Sequence, residues 1–458
     1  MAEVQDLVVV GGGAGGFAAA MRAAQLGGKV TVVESGHYGG DCMNKACIPL
    51  TLLMTAAQMV RCVQKAGRFG LGLPEPELNL AALHDRKDLL VEGLRMGTEQ
   101  LLAEVGITLV EGRGRLAAAG IVEVGETRIE ARNVILATGS VQAQLPIAGA
   151  DLPGVIGTEE AIELRDVPPR LAVIGSQAWD VELGQYFRLM GSDVTYICSG
   201  DQVLAEADGD VAQRLAKALH DGGIAIKRRV AVEAIRQGED GALVVHLAGG
   251  QEPVVADRVL ASRRLSNSAG LGLRELGIAM EGAAVLVDDR MATSVPHVYA
   301  IGDVTRGPFW SHKANAEGIV AAENAMGGNS RMRYDILPYC AYTLPQVAWV
   351  GLTEEQAEAR GLACEIGKVP VALNPYAMIL DETAGEIKVI ACKKYGKIVG
   401  AHLVAPGAID LINTIAVAML SEATVGELMR FIPRHPSLGE ALVDAAMDVE
   451  KRSLHMPR

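Results

Sequence analysis

Long hydrophobic runs are missing from this chain. No uninterrupted apolar stretch approaches the roughly 18 residues of a membrane-spanning helix, so no membrane is expected as a partner. Positive charge is short as well. With 42 Lys and Arg against 55 Asp and Glu, the formal charge of −13 disfavours nucleic acid and anionic membrane as partners. Charge of either sign is modest at 21%, while 50% of residues are hydrophobic, which excludes a disordered chain. Low-complexity tracts are absent. Cysteine is scarce: seven, an odd number scattered over 458 residues, fit a reducing cytoplasm better than a disulfide-stapled secreted scaffold. The opening MAEVQDLVVV is acidic and runs straight into a strand, so a signal peptide is not expected. No second cysteine pair or histidine cluster has ligand spacing, so no metal is expected.

What is present is glycine, 53 of them, and a pattern that occurs twice. DLVVVGGGAGGFAAAMRAAQLGGKVTVVE is an apolar run, a glycine turn, an Ala-rich helix and a second apolar run ending in Glu34. RLAVIGSQAWDVELGQYFRLMGSDVTYIC, from Arg170 to Cys198, has the same layout. Each reads as a βαβ unit, so two nucleotide-binding folds are expected. From about Arg331 the pattern changes to a hairpin, IKVIACKKYGKIVGAHLV, followed by helices, which reads as a separate α+β domain.

Gly11, Gly13 and Gly16 form G-x-G-x-x-G between a strand and a helix. The first glycine makes the tight turn, the second admits a pyrophosphate, and the third lets helix and strand pack closely. The helix N-terminus then offers free N–H groups to phosphate. Glu34 ends the next strand 18 residues after Gly16, placed to accept from a ribose hydroxyl. Shortly afterwards GGDCMNKACIPLT carries Cys42 and Cys47 where the chain re-enters a helix. Two thiols this close can bridge, and a helix N-terminus favours thiolate. Two buried small hydrophobes is the alternative. Near the other end RHPSLGEAL places Glu440 five residues after His435, an imidazole able to take a thiol proton and a carboxylate able to hold its tautomer. Surface or capping chemistry is the alternative there. His84, His220 and His455 have no partner pattern and read as surface residues.

Taken together, VVVGGGAGG, GGDCMNKACIP, ILATGS, VYAIGDVTRGPFWSHKANAEGIVAAENA, YTLPQVAWVGLTEEQA and HPSLGEAL resemble the class I flavoprotein disulfide reductases, with dihydrolipoamide dehydrogenase and mercuric reductase as the nearest members. The resemblance runs in order along nearly the whole chain. It implies two Rossmann-like nucleotide-binding domains plus a C-terminal α+β dimerisation domain: residues 1–148 and 266–332 for FAD, 149–265 for a nicotinamide-type nucleotide, and 333–458 for the interface. Gly11, Gly13, Gly16 and Glu34 would hold the adenosine and pyrophosphate of FAD. Gly114 would lie near the adenine, Thr138 and Gly139 would close over the cofactor, Asp303 would accept from the ribityl chain, and His312 would support FAD binding. Cys47 would be the thiol against the flavin ring and Cys42 the one that exchanges with a dithiol or disulfide substrate. His435, oriented by Glu440, would serve the disulfide of the other subunit in a homodimer.

The second βαβ unit departs from this pattern. Its turn reads GSQAWD, with Gly175 kept, Gln177 in place of the second glycine and Asp180 in place of the third. The following strand ends in Cys198 rather than an acid, and the family's later GRxPN has become SRRLSN, residues 262–267. Thr51 replaces the lysine that follows the second cysteine and pairs with a glutamate, here Glu182. That carboxyl is therefore expected to be unpaired, with a raised pKa if buried. Asp41 and Lys45 flank the cysteines where the family favours Thr and a small apolar residue. Weakened or lost NAD(P) use is the expectation, against a variant loop that binds NADH through backbone contacts. Two other functions compete. One is a mercuric-reductase-like enzyme, which fits poorly without a C-terminal cysteine pair. The other is a flavoprotein redox sensor or electron-transfer partner.

Overall fold

The computed structural model describes residues 4–261 and 263–456. Ser262, the first residue of the altered GRxPN segment, and residues 1–3 and 457–458 lie outside the described residues. The chain starts as strand β1 (Gln5–Val10), turns into helix α1 (Ala14–Gln25) and returns as β2 (Val30–Glu34). Leu7, Val8 and Val9 are all fully buried, as expected for a parallel strand covered on both faces. A short helix, Gly40–Asn44, is followed after Lys45 and Ala46 by the long helix α2 (Cys47–Lys65). Another helix, Leu80–Glu104, completes the helical stretch expected after the cysteines. Strand β3 (Thr127–Leu136) then pairs parallel with β1. The parallel sheet runs Thr108–Glu111, β2, β1, β3, Val298–Ala300. Its last strand arrives from much later in the chain, so this unit is assembled from two segments.

The second unit repeats the plan with β4 (Arg170–Ile174), α3 (Ala178–Leu189) and β5 (Asp193–Ile197). Its sheet is also parallel, in the order Ala225–Lys227, β5, β4, Arg258–Ala261, Val155–Ile156. The chain then returns to the first unit, where helix α4 (Ser311–Ala325) crosses α1. The crossing is close because both helices present glycine: a Cβ on Gly318 would lie 2.4 Å from the carbonyl oxygen of Gly15.

By length and composition, residues 40–69 could cross a membrane. One apolar face of this segment packs inside the protein, while Met59 and Phe69 stay exposed. Leu50, Leu53, Met54 and Ala57 are buried in one core with Val181, Leu183 and Phe187 of α3. Each large side chain so buried contributes about 1.5–3 kcal/mol. This packing fixes the cysteine-bearing end of α2 against the second unit.

The last unit is an antiparallel sheet built around β6 (Gln346–Gly351), β7 (Glu386–Cys392) and β8 (Ile398–Ala405). Helices α5 (Ala408–Leu420) and α6 (Gly439–Val449) cover one side of it. The expected hairpin is the β7–β8 pair. Asp208, Asp210 and Glu354 approach one another with metal-ligand spacing, but Lys388 of β7 ion-pairs with all three. That ammonium supplies the cation and ties the second unit to the third.

Candidate active site

The glycine turn after β1 shapes the site. Gly11 has φ +109°, and a Cβ there would lie 2.2 Å from the carbonyl oxygen of Ala137. Gly16 packs still closer: its Cβ would lie 1.8 Å from the carbonyl oxygen of Gly11. A side chain at Gly16 would push the helix off the turn, and one at Gly11 would collide with the backbone that follows β3. Above this turn a cavity of about 540 Å³ is lined by Gly11, Gly13, Glu34, Gly114, Thr138, Gly139, Asp303 and Cys42. Gly16 lies beneath it at the helix–strand contact. The Glu34 carboxylate accepts from the N–H groups of Gly12 at 2.6 Å and Gly36 at 2.7 Å, which fixes its direction at the cavity edge. Asp303 accepts from Ser140 Oγ at 2.7 Å, and burial raises its pKa.

Several supports were not singled out in the sequence. Lys313 and Glu317, four residues apart on α4, form a buried ion pair at 3.1 Å. Glu317 accepts from Gly302 N–H at 2.7 Å and from Tyr334 Oη at 2.6 Å, while Lys313 donates to the Gly302 carbonyl at 3.2 Å. The turn that carries Asp303 is thereby held from both sides. Asn267 stitches the opposite wall, accepting from Thr138 Oγ1 through its carbonyl and donating to the Thr138 carbonyl through Nδ2. The i,i+4 spacing in SHKANAEG was the available signal for the ion pair.

His312 is not brought to this cavity. Its Nε2 lies 2.7 Å from the carbonyl oxygen of Pro338, and its ring lines a separate cleft with Tyr339 and Cys340. Its place in the fold is at the junction with the third unit. His84, read as a surface residue, is buried, with Nε2 2.8 Å from the Leu164 carbonyl oxygen. The helix that carries it packs its inner face on the protein, and a histidine without a motif gave no sign of that.

Cys42 and Cys47 are adjacent and both are free thiols. Ser311 Oγ, at the start of α4, lies 3.4 Å from Cys47 Sγ. A hydrogen bond from Cys47 stabilises the Cys42 thiolate and lowers its pKa to about 7, against burial and the charges of Asp303 and Asp41. The same shared proton raises Cys47. One proton is held between two sulfurs, and the pair favours a thiolate on Cys42.

The unusual charges around this pair are partnered with each other. Asp41 is ion-paired with Arg264, whose side chain is only 8% exposed. Arg264 also donates from Nε to Ser140 Oγ at 2.9 Å and faces Glu159 at 3.5 Å. Lys45 pairs with Glu159 at 3.3 Å, which offsets its charge. Two departures from the family pattern, Asp41 and Arg264 of the altered segment, thus meet in a single half-buried ion pair.

Glu182 on α3 is buried and accepts from the backbone N–H of Tyr342 at 2.7 Å. No cation among the described residues pairs with it, and burial pushes its carboxyl up to about 8. His435 is exposed, with Nδ1 2.9 Å from Glu440 Oε1, while Glu440 Oε2 accepts from Ser437 N–H at 2.9 Å. Within one chain this pair stands in solvent, and its Nε2 is left free.

The second nucleotide turn differs from the first. Asp180 does not turn to solvent: it is 1% exposed, and its Oδ2 accepts from Gln177 N–H at 3.1 Å. Cys198, just past β5, is fully buried and donates to the Gly175 carbonyl at 3.3 Å. A cavity of about 610 Å³ lies over this turn, lined by Gly175, Gln177, Trp179, Asp180, Arg263 and Phe309 among others.

A model described as pyridine nucleotide-disulphide oxidoreductase matches residues 5–326, and its dimerisation domain matches residues 337–446. The chain belongs to this family. Dihydrolipoyl dehydrogenase of Thermus scotoductus is 38% identical, with 99% of each chain covered. The mitochondrial dihydrolipoyl dehydrogenase of Dictyostelium discoideum is 36% identical over 99% of this chain and 96% of its own. The crystal structure of LpdA from Mycobacterium tuberculosis superposes with a TM-score of 0.89 at 26% identity, covering 97% of this chain and 99% of that one. The α/β fold with its dimerisation domain is that of the family. As a member, the chain is an FAD-dependent disulfide oxidoreductase. The turn that admits no Cβ at Gly11, the N–H-anchored carboxylate of Glu34 and the half-buried Asp303 fit that cofactor.

Proposed function

We propose that this oxidoreductase oxidises a small or protein-borne dithiol of the dihydrolipoamide kind through a redox-active Cys42–Cys47 pair, with NAD(P) use weakened or lost. The observation that carries this reading is the lowered Cys42 thiol, paired with Cys47 and lining the dinucleotide cavity. Gly11, Gly13, Gly16, Glu34, Gly114, Thr138, Gly139 and Asp303 would hold FAD, which when bound supplies a two-electron acceptor for the dithiol.

The residues of the chain carry the exchange. With the pair oxidised, a substrate thiolate attacks Cys42 Sγ, forming a mixed disulfide and releasing Cys47 as thiolate. The second substrate sulfur then displaces Cys42, closing the substrate disulfide. Two electrons pass from substrate to the cysteines. Of the two substrate protons, one stays shared between Cys42 and Cys47 and one goes to the imidazole of the partner's His435. Glu440 fixes the tautomer by holding Nδ1, leaving Nε2 as the proton-accepting atom.

A homodimer is part of the reading. The match to the dimerisation domain supports it, as do the exposed apolar Phe431 and Ile432 just before His435 and Val417 and Leu420 on α5. Free cysteines throughout the chain support a reducing, cytoplasmic setting. The altered turn, with Gln177 and Asp180 in glycine places and Glu182 left without a lysine, supports the weakened nicotinamide use. Oxidation of dihydrolipoamide with an artificial acceptor tests the central step. Cys42→Ser should abolish turnover while FAD stays bound; unchanged turnover in that variant would remove Cys42 from the reaction.

A further inference from the structure

We infer that Asp180 is an internal anion cap, a side chain of the protein standing where the second nucleotide site would otherwise receive a dinucleotide's phosphates. The inference rests on the reading above that nicotinamide use is weakened, and it names the residue responsible.

The two turns of this molecule can be compared directly. In the first, helix α1 lies so close to the turn that a Cβ on Gly16 would sit 1.8 Å from the Gly11 carbonyl oxygen. The free N–H groups of the helix then face the cavity, where a phosphate can take them. In the second, position 180 carries a side chain, and its carboxylate fills the space under the turn. A Cβ added to Gly175 would lie 2.1 Å from Asp180 Oδ2. That oxygen already accepts from Gln177 N–H, the N-cap donor of α3. The other oxygen, Oδ1, is buried with no hydrogen-bond partner. So one N–H that a phosphate would take is used, and an anion faces the helix end from inside. The Gln177 side chain stands exposed where the second glycine would open the way. Arg263 lines the same cavity and attracts anions, but it comes from another strand and not from the turn where the phosphate contacts form.

The groups facing Asp180 are few. Tyr196 and Cys198 approach from β5 and the residue just past it, both with pKa values raised by burial and by the Asp180 charge. Tyr196 donates to the Val181 carbonyl at 2.6 Å. Glu182 follows on the same helix, and Glu206, Arg263 and Arg264 line the cavity. Burial pushes Asp180 up to about 7, so its charge is lost as pH falls through neutrality and the block weakens.

The test is calorimetric titration of the FAD-loaded protein with NAD⁺ and with ADP-ribose at pH 6 and pH 8. Asp180→Asn keeps the oxygen that accepts from Gln177 and removes the charge. It should bind both ligands about tenfold more tightly than the parent at pH 8. The parent should bind ADP-ribose more tightly at pH 6 than at pH 8, and that gain should be lost in the variant. Glu182 titrates in the same window, so its effect is common to both proteins and cancels in the comparison. Asp180→Gly, which restores the residue of the first turn, provides a second variant, with flavin content reporting on folding. Parent and both variants binding equally weakly at both pH values would overturn the cap while leaving weak nicotinamide use standing. Tight binding of NAD⁺ by the parent at pH 8 would overturn both.

Discussion

Replacing Glu182 by Gln should remove a pH-dependent cost of folding whose size follows from the site. The carboxyl is buried, its one hydrogen bond comes from Tyr342 N–H, and its pKa is raised from 4.5 to about 8. The folded protein keeps this proton to about pH 8, while the unfolded chain loses it near the ordinary value. Between those limits the native state binds more protons, so stability falls as pH rises. Integrating the two titrations gives a loss of roughly 2–4 kcal/mol between pH 5 and 8, most of it already present at pH 7. Glutamine keeps the oxygen that accepts from Tyr342 and cannot ionise. Asp180, also raised, adds its own slope, but equally in both proteins. Urea unfolding of FAD-loaded parent and Glu182→Gln at pH 5, 7 and 8 measures the difference. The variant should gain on the parent by roughly 2–4 kcal/mol across the range. Parallel pH profiles would show that Glu182 titrates at its ordinary value in the folded protein and would refute the raised carboxyl.

Two further outcomes follow from the thiol pair and its base. Cys47→Ala removes the donor to the Cys42 thiolate, so the midpoint of Cys42 alkylation by iodoacetamide should move from about 7 toward its ordinary 9.0; an unmoved midpoint would assign the low value to something other than Cys47. His435→Gln should lower kcat for dithiol oxidation by about 10²–10⁴ with the flavin spectrum intact, since it removes only the proton acceptor; full activity would place the base elsewhere.

Much of the fold was legible because it is written in local pattern. The apolar run, glycine turn and small-residue helix of residues 6–34 can form only one kind of unit, and the second copy repeats it. The unpaired Glu182 could be anticipated, because loss of a lysine at residue 51 leaves its acid alone wherever the two elements meet. What the sequence could not show were pairings across long separations. Asp41 and Arg264 are 223 residues apart, and only the packed chain brings them together. Asp180 was readable as a charge but not as a cap, because its direction depends on how far α3 stands off the turn. His312 shares a motif with Lys313 and Glu317, which brace the Asp303 turn, yet its ring points at Pro338. His84 failed for a related reason: burial of a lone polar residue is decided by the neighbour it meets.

Anaerobic reduction of the FAD-loaded protein, with dihydrolipoamide and NADH titrated in parallel, tests the central claim most directly. Dihydrolipoamide should change the flavin spectrum stoichiometrically, and micromolar NADH should leave it oxidised. Rapid, stoichiometric bleaching by NADH together with no response to the dithiol would contradict the account.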